Sequence, residues 1–125
     1  MTQGKRQASS RQSSYHLGLA AEERARELLE AKQYRILAQR YKTPAGEIDL
    51  IAQRGEHLAF VEVKRRKTEE EAAWSILPRQ QLRIASTAEA FLADRQEFSQ
   101  YSASFDVVLV TPEKGCTHIE QAFLA

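Results

Sequence analysis

A single α/β domain built on a mixed central sheet is the fold class this sequence predicts, and three observations predict it. Two runs of strand formers, EIDLIA and HLAFVEVK, are joined by a short glycine-bearing turn, which makes an antiparallel hairpin. A third apolar run, SFDVVLV, follows a long amphipathic segment. A helix therefore crosses over between two strands, which must then run parallel. A further amphipathic helix precedes all of them.

Each element follows in order. Residues 1–14, MTQGKRQASSRQSS, are polar, with Lys5, Arg6 and Arg11 and no acid. They are expected to be a disordered basic tail, serving as a loose phosphate-binding arm or simply for solubility, ahead of a domain over 15–125. From about 15 to 32, Leu17, Ala21, Ala25, Leu28 and Leu29 recur at helical spacing. Glu22 lies at the edge of that stripe, in line with Gly18, Ala25 and Leu29, so its carboxylate is expected to be half-buried. YRILAQRY is the expected first strand, and Thr43-Pro44-Ala45-Gly46 the turn after it. The hairpin follows, with Gln53-Arg54-Gly55-Glu56 as its turn. Residues 68–74 read as a charged connection. A second helix is expected over about 77–94, with Pro78 in its first turn and Leu82, Ala85, Ala88, Phe91 and Leu92 as its apolar face. The buried strand 104–110 comes next, and THIEQAFLA adds a short edge strand.

Composition narrows the function classes. The 125 residues are enough for one core and too few for two. A charge of +1, from 18 basic and 17 acidic side chains, argues neither for nor against nucleic acid, so distribution matters more. Lys64, Arg65, Arg66 and Lys67 form one basic run, and Glu69, Glu70 and Glu71 follow it. The lone Cys116 has no internal disulfide partner and reads as a bystander rather than a nucleophile. His16, His57 and His118 are scattered, which argues against a histidine-rich metal site. No secretory signal is evident, and no apolar run reaches the roughly 20 residues that span a bilayer. The cytoplasm is the expected location, with no membrane partner.

The chemistry lies in the hairpin. Residues two apart on a strand share a face. Glu47 and Asp49 are therefore expected to face one way, and Ile48 with Leu50 the other; Phe60, Glu62 and Lys64 likewise oppose Val61 with Val63. Carboxylates amid apolar sequence are costly unless something pairs them. Glu22, Asp49 and Glu62 are thus explained either by an ion-pair network with Lys64, Arg65 or Arg66, or by a divalent cation. Mg²⁺ prefers such oxygen ligands together with waters and substrate phosphate oxygens. Lys64, on the face of Glu62, could position a water or neutralise charge developing on a phosphate. Glu47 is placed at the mouth of the site. Arg65 and Arg66, directly after this strand, are candidate phosphate contacts. Trp74 and Tyr41 are expected to be buried rather than stacked on bases, and Asp106 to pair with a basic side chain.

The run GEIDLI at 46–51, FVEVKRR at 60–66 and FDVV at 105–108, with Gly18, Glu22 and Ala25 in the first helix, resembles the YraN family of bacterial proteins (UPF0102) over about residues 16–124. That family resembles archaeal Holliday junction resolvases and the PD-(D/E)xK nucleases. The resemblance implies a restriction-endonuclease-like fold, a mixed central sheet flanked by helices. It also implies Asp49 as the motif aspartate, Glu62 and Lys64 as the E-x-K pair, the Val63 carbonyl as a further metal ligand and Glu22 as the acid of the first helix. Mg²⁺ or Mn²⁺ would be the cofactor, nucleic acid (DNA first) the partner, and a homodimer the assembly that serves two symmetric strands. Ile48 stands where the superfamily carries a proline. Arg79-Gln80-Gln81 stands where relatives often carry a lysine, which makes Gln80 and Gln81 auxiliary candidates. Three functions stay open on the sequence: a metal-dependent nuclease, with structure-selectivity for branched DNA as one form of it; a nucleic-acid-binding module that keeps the fold without cutting; and an interaction protein whose acids only stabilise the core.

Overall fold

The computed structural model describes residues 18–67, 76–112 and 115–124. The basic tail, the charged connection at 68–74 and Trp74 lie outside the described residues. The first helix, α1, covers residues 18–31. It ends with Gln33 at a left-handed φ of 72°, and the Tyr34 N–H returns to the Leu29 carbonyl. This closes the last turn, with glutamine where glycine is usual. Five strands follow: β1 (Arg35–Thr43), β2 (Gly46–Arg54), β3 (His57–Arg65), then, after the helix α2 (Pro78–Ala93) and a 3₁₀ turn (Gln96–Phe98), β4 (Ser102–Thr111) and β5 (Gly115–Phe123).

The strands are ordered β1-β2-β3-β4-β5 in one sheet. The β3–β4 pair is parallel, joined through α2 as the crossover requires, and the other pairs are antiparallel. This is a single mixed α/β sheet flanked by two helices, consistent with a restriction-endonuclease-like fold. Gly55, with φ of 59°, opens the two-residue hairpin loop between β2 and β3.

The helices cover opposite faces. Ala21, Ala25 and Leu29 of α1 pack on Leu50, Ala52, Ala59, Val61, Val108 and Val110. Ile84, Ala88 and Phe91 of α2 pack on Ile48, Ile51, Leu58, Phe60 and Val107. Burying both faces of the sheet explains why β3 and β4 read as nearly continuous apolar runs.

Two expectations are corrected. Leu82 does not belong to the core face of α2: it is 70% exposed, and Ile84 and Thr87 are buried beside the expected Ala88 and Phe91. Thr87 is sealed because its hydroxyl donates to the Arg83 carbonyl one turn back, at 2.7 Å. Nor do Ile48 and Leu50 share a face. Ile48 enters the α2-side core and Leu50 the α1-side core, so the alternation breaks between them, at Asp49.

Candidate metal centre

That break builds the site. The β2–β3 ladder runs from the loop only as far as Leu50 opposite Val61. The next opposed pair would be Asp49 and Glu62. There the backbones part, and the Asp49 side chain takes over: its Oδ2 accepts the Val63 N–H at 2.8 Å. A carboxylate thus satisfies a donor that the strand has released. On the other side, Gln39 and Tyr41 of β1 pair with Leu50 and Ile48, which leaves Arg40 opposite Asp49. One row across three strands therefore reads Arg40, Asp49, Glu62.

Glu62 is 9% exposed, and its Oε2 accepts a hydrogen bond from Gln80 Nε2 of α2 at 2.6 Å. Its carboxyl is pushed up to about 9, first by burial, then by a hydrogen bond with Asp49 and by the Asp49 charge; Lys64 and Gln80 oppose this. Two carboxyl groups in contact cannot both ionise cheaply.

A cavity of about 370 Å³ opens on this pair, lined by Asp49, Glu62, Val63 and Lys64, with Glu47, Gln80 and Arg83 around it. A second, of about 260 Å³, lies on the α1 side and shares Asp49 and Val63, adding Glu22, Arg40 and Arg65. The structure thus brings together Asp49, Glu62, Lys64, Val63 and Gln80. Glu47 is exposed at the rim, as expected. Glu22 is half-buried as expected, but its Oε2 accepts two hydrogen bonds from Arg40, Nε at 3.0 Å and Nη2 at 2.8 Å. Arg40 reaches it from a left-handed φ of 51° inside β1, a strained conformation for this residue. Gln81 is turned away: its Nε2 donates to the Ile76 carbonyl at 2.7 Å. Among the described residues no group of three or more His, Cys, Asp or Glu side chains is gathered tightly enough to hold a metal. The acidic donors here number two, Asp49 and Glu62, facing an open cavity. Such a donor set fits Mg²⁺, which keeps several waters and takes few carboxylates.

Arg40 and Arg83 were not singled out in the sequence. Arg40 becomes visible only through the strand register, and Arg83 lies one helical turn beyond Gln80, a spacing that could have found it. Asp106 does pair with a basic ring, though not at this site: its Oδ2 is 2.7 Å from His118 Nε2. Tyr41 is half-buried, edge-on to Phe91. No helix among the described residues is long and apolar enough to cross a membrane.

Comparison with known proteins agrees with the resemblance read from the motifs. A family model described as "Uncharacterised protein family UPF0102" matches residues 21–110. A UPF0102 protein of Rhodopseudomonas palustris (strain HaA2) is 47% identical over 116 residues, covering 93% of this chain and 91% of that one. A UPF0102 protein of Azorhizobium caulinodans is 47% identical over 113 residues, 90% of this chain and 86% of that one. One of Bradyrhizobium diazoefficiens is 44% identical over 113 residues, 90% and 85% of the two chains.

Proposed function

We propose, for a chain that belongs to the UPF0102 family, that it is a Mg²⁺- or Mn²⁺-dependent nuclease acting on nucleic-acid phosphodiesters. One observation carries this reading: Asp49 and Glu62 are forced against each other where β2 and β3 part, beside Lys64, at the wall of a cavity. Lys64, a cation that acts on Glu62, lines the same cavity as the pair.

Asp49 and Glu62 would hold the metal, with the Val63 carbonyl as a further ligand by resemblance. When bound, the metal supplies a Lewis acid for the phosphoryl oxygen and lowers the pKa of a bound water. The chain's own residues do the rest. The Val63 N–H fixes the Asp49 carboxylate, and Gln80 fixes that of Glu62. Lys64 contributes positive charge where negative charge develops on the phosphate, in a half-buried site where charge counts for more than in water. Arg65 and Arg83 flank the cleft and would hold the backbone on either side. Expressed as an assembly, the reading implies a homodimer with one site per strand; sedimentation velocity showing monomer alone would remove that part.

A second reading, a nucleic-acid-binding module that does not cut, is favoured by one contact: Glu22 is committed to Arg40. The test separates the two. Purified protein is incubated with Mg²⁺ or Mn²⁺ and labelled single strand, duplex, flap, four-way junction and RNA, beside Asp49→Ala and Glu62→Ala. Cleavage is expected from the wild type and from neither variant. Binding to the same panel without any cleavage would leave the second reading in place, and cleavage that survives both substitutions would sink the site.

A further inference from the structure

On the α1 side of this cleft a larger cavity, about 690 Å³, opens between α1 and the ends of β3 and β4. Four cations line it, Arg24 from α1 and Arg65, Arg66 and Lys67 from the end of β3, and among the described residues no carboxylate does. Among the described residues none of the four is in an ion pair; the Arg66 guanidinium donates to the Arg65 carbonyl at 2.8 Å. Like charges around one concavity repel, and an anion relieves that. The remaining lining is largely apolar, including Ala20, Ala21, Val110 and Pro112. A phosphate gives no reason for an apolar floor. A nucleotide does, since it joins an anion to a flat base with apolar faces, and a cavity of this size is ample for one.

Position supplies the second line of support. Ala21 and Arg65 also line the 260 Å³ cavity that holds Asp49, and Asp49 and Val63 also line the cavity that holds Glu62 and Lys64. The three cavities therefore share walls near the end of β3. A phosphodiester chain lying in them would have one phosphate at Asp49 and Glu62 and a neighbouring nucleotide in the cationic cavity. The geometry points to this cavity as a pocket for one unpaired nucleotide adjacent to the phosphate that is cut. A base still paired in a duplex enters only after unpairing and unstacking, a cost that an unpaired nucleotide avoids. The substrate class is thus nucleic acid with an unpaired nucleotide beside the scissile bond, as at a flap, an overhang or a branch point. The pocket deepens the nuclease reading and rests on it for its purpose, but not for its test.

The test is binding by the full chain in EDTA, so that no metal and no cleavage take part. Fluorescence anisotropy compares a blunt duplex with the same duplex carrying a short single-stranded overhang. The wild type is expected to prefer the overhang by about tenfold. Ala20→Trp, at an exposed α1 position on the lining, keeps all four cations but fills the floor; it is expected to bring the ratio near one. Arg24→Ala is expected to weaken overhang binding more than duplex binding. A thermal melt verifies that each variant folds. No preference in the wild type, a preference untouched by Ala20→Trp, or equal weakening of both ligands by Arg24→Ala overturns the pocket. A preference that holds in a protein showing no metal-dependent cleavage leaves the pocket standing and removes the nuclease reading alone.

Discussion

Glu62 and Asp106 are both buried carboxyl groups, and their surroundings push them in opposite directions. For Glu62, burial and Asp49 raise the folded value to about 9 from 4.5. The folded state then holds the proton more tightly than the unfolded one, so this group's stabilisation is complete below about 4.5 and is lost as pH rises toward about 9. Thermal melts of the metal-free protein across that window should show a falling contribution that Glu62→Gln flattens. The Mg²⁺-induced rise in melting temperature should grow with pH over the same range, because a ligand must shed its proton to bind. A metal shift that is the same at low and high pH would contradict this. For Asp106, burial alone would raise the value, but hydrogen bonds from His118, Ser104 and the Gln121 N–H outweigh it and hold the carboxyl below its ordinary range. Lys32 Nζ lies 2.6 Å from His118 Nδ1 and can only donate, so Nδ1 accepts and the proton on Nε2 goes to Asp106. Here the sign reverses: the stabilisation is present above the unfolded value of 3.8 and is lost as pH falls through the lower folded value. Asp106→Asn should cost about 1.5–3 kcal/mol in urea unfolding at neutral pH and remove part of the acid-induced loss. Asp106 could be read as needing a basic partner. His118 could not be identified as that partner, because it arrives from β5, at the far edge of the hairpin that follows.

At the scale of elements, periodicity found every helix and strand described here, and it failed where a polar side chain was internally satisfied. The α2 pattern fitted Leu82 as readily as Ile84, since both are apolar and helical spacing tolerates either. The choice fell on Ile84 because Thr87, capped on Arg83, joins it on the buried side. Leu82→Ser should therefore change stability by less than about 0.5 kcal/mol. Phe91→Ala, which removes a ring packed on Tyr41, Phe60 and Phe98, should cost about 3–5 kcal/mol. Equal losses from the two substitutions in chemical denaturation would restore the sequence-based face. Gly46 matters for the same contact: a Cβ there would stand 3.2 Å from both Arg83 Cβ and Thr87 Oγ1, so this turn residue lets α2 sit close to β2 and deliver Gln80 to Glu62.

Across the whole molecule, the row Arg40, Asp49, Glu62 and the chain of cavities beside it place acids at the centre and arginines outward on both sides. A net charge of +1 hides this arrangement. If Arg65 contacts one phosphate, Arg65→Ala should flatten the plot of log affinity against log salt by about 0.9 for duplex DNA. An unchanged slope in a salt titration would take Arg65 off the backbone.

The sequence by itself determined the β2–β3 hairpin and the parallel crossover from β3 to β4, and it nominated Asp49, Glu62 and Lys64 as neighbours, which the structure gathers on one cavity. Alternation and crossover length are local rules, and alternation holds until a strand leaves its ladder, as β2 does at Asp49. Only the tertiary structure decided that Asp49 leaves the alternation to take the Val63 N–H, that Gln80 rather than Gln81 reaches Glu62, and that Arg40 claims Glu22. Those outcomes depend on where one strand parts from its neighbour and on which groups a helix brings across the sheet. Both are contacts between residues distant in the chain, and no local pattern encodes them.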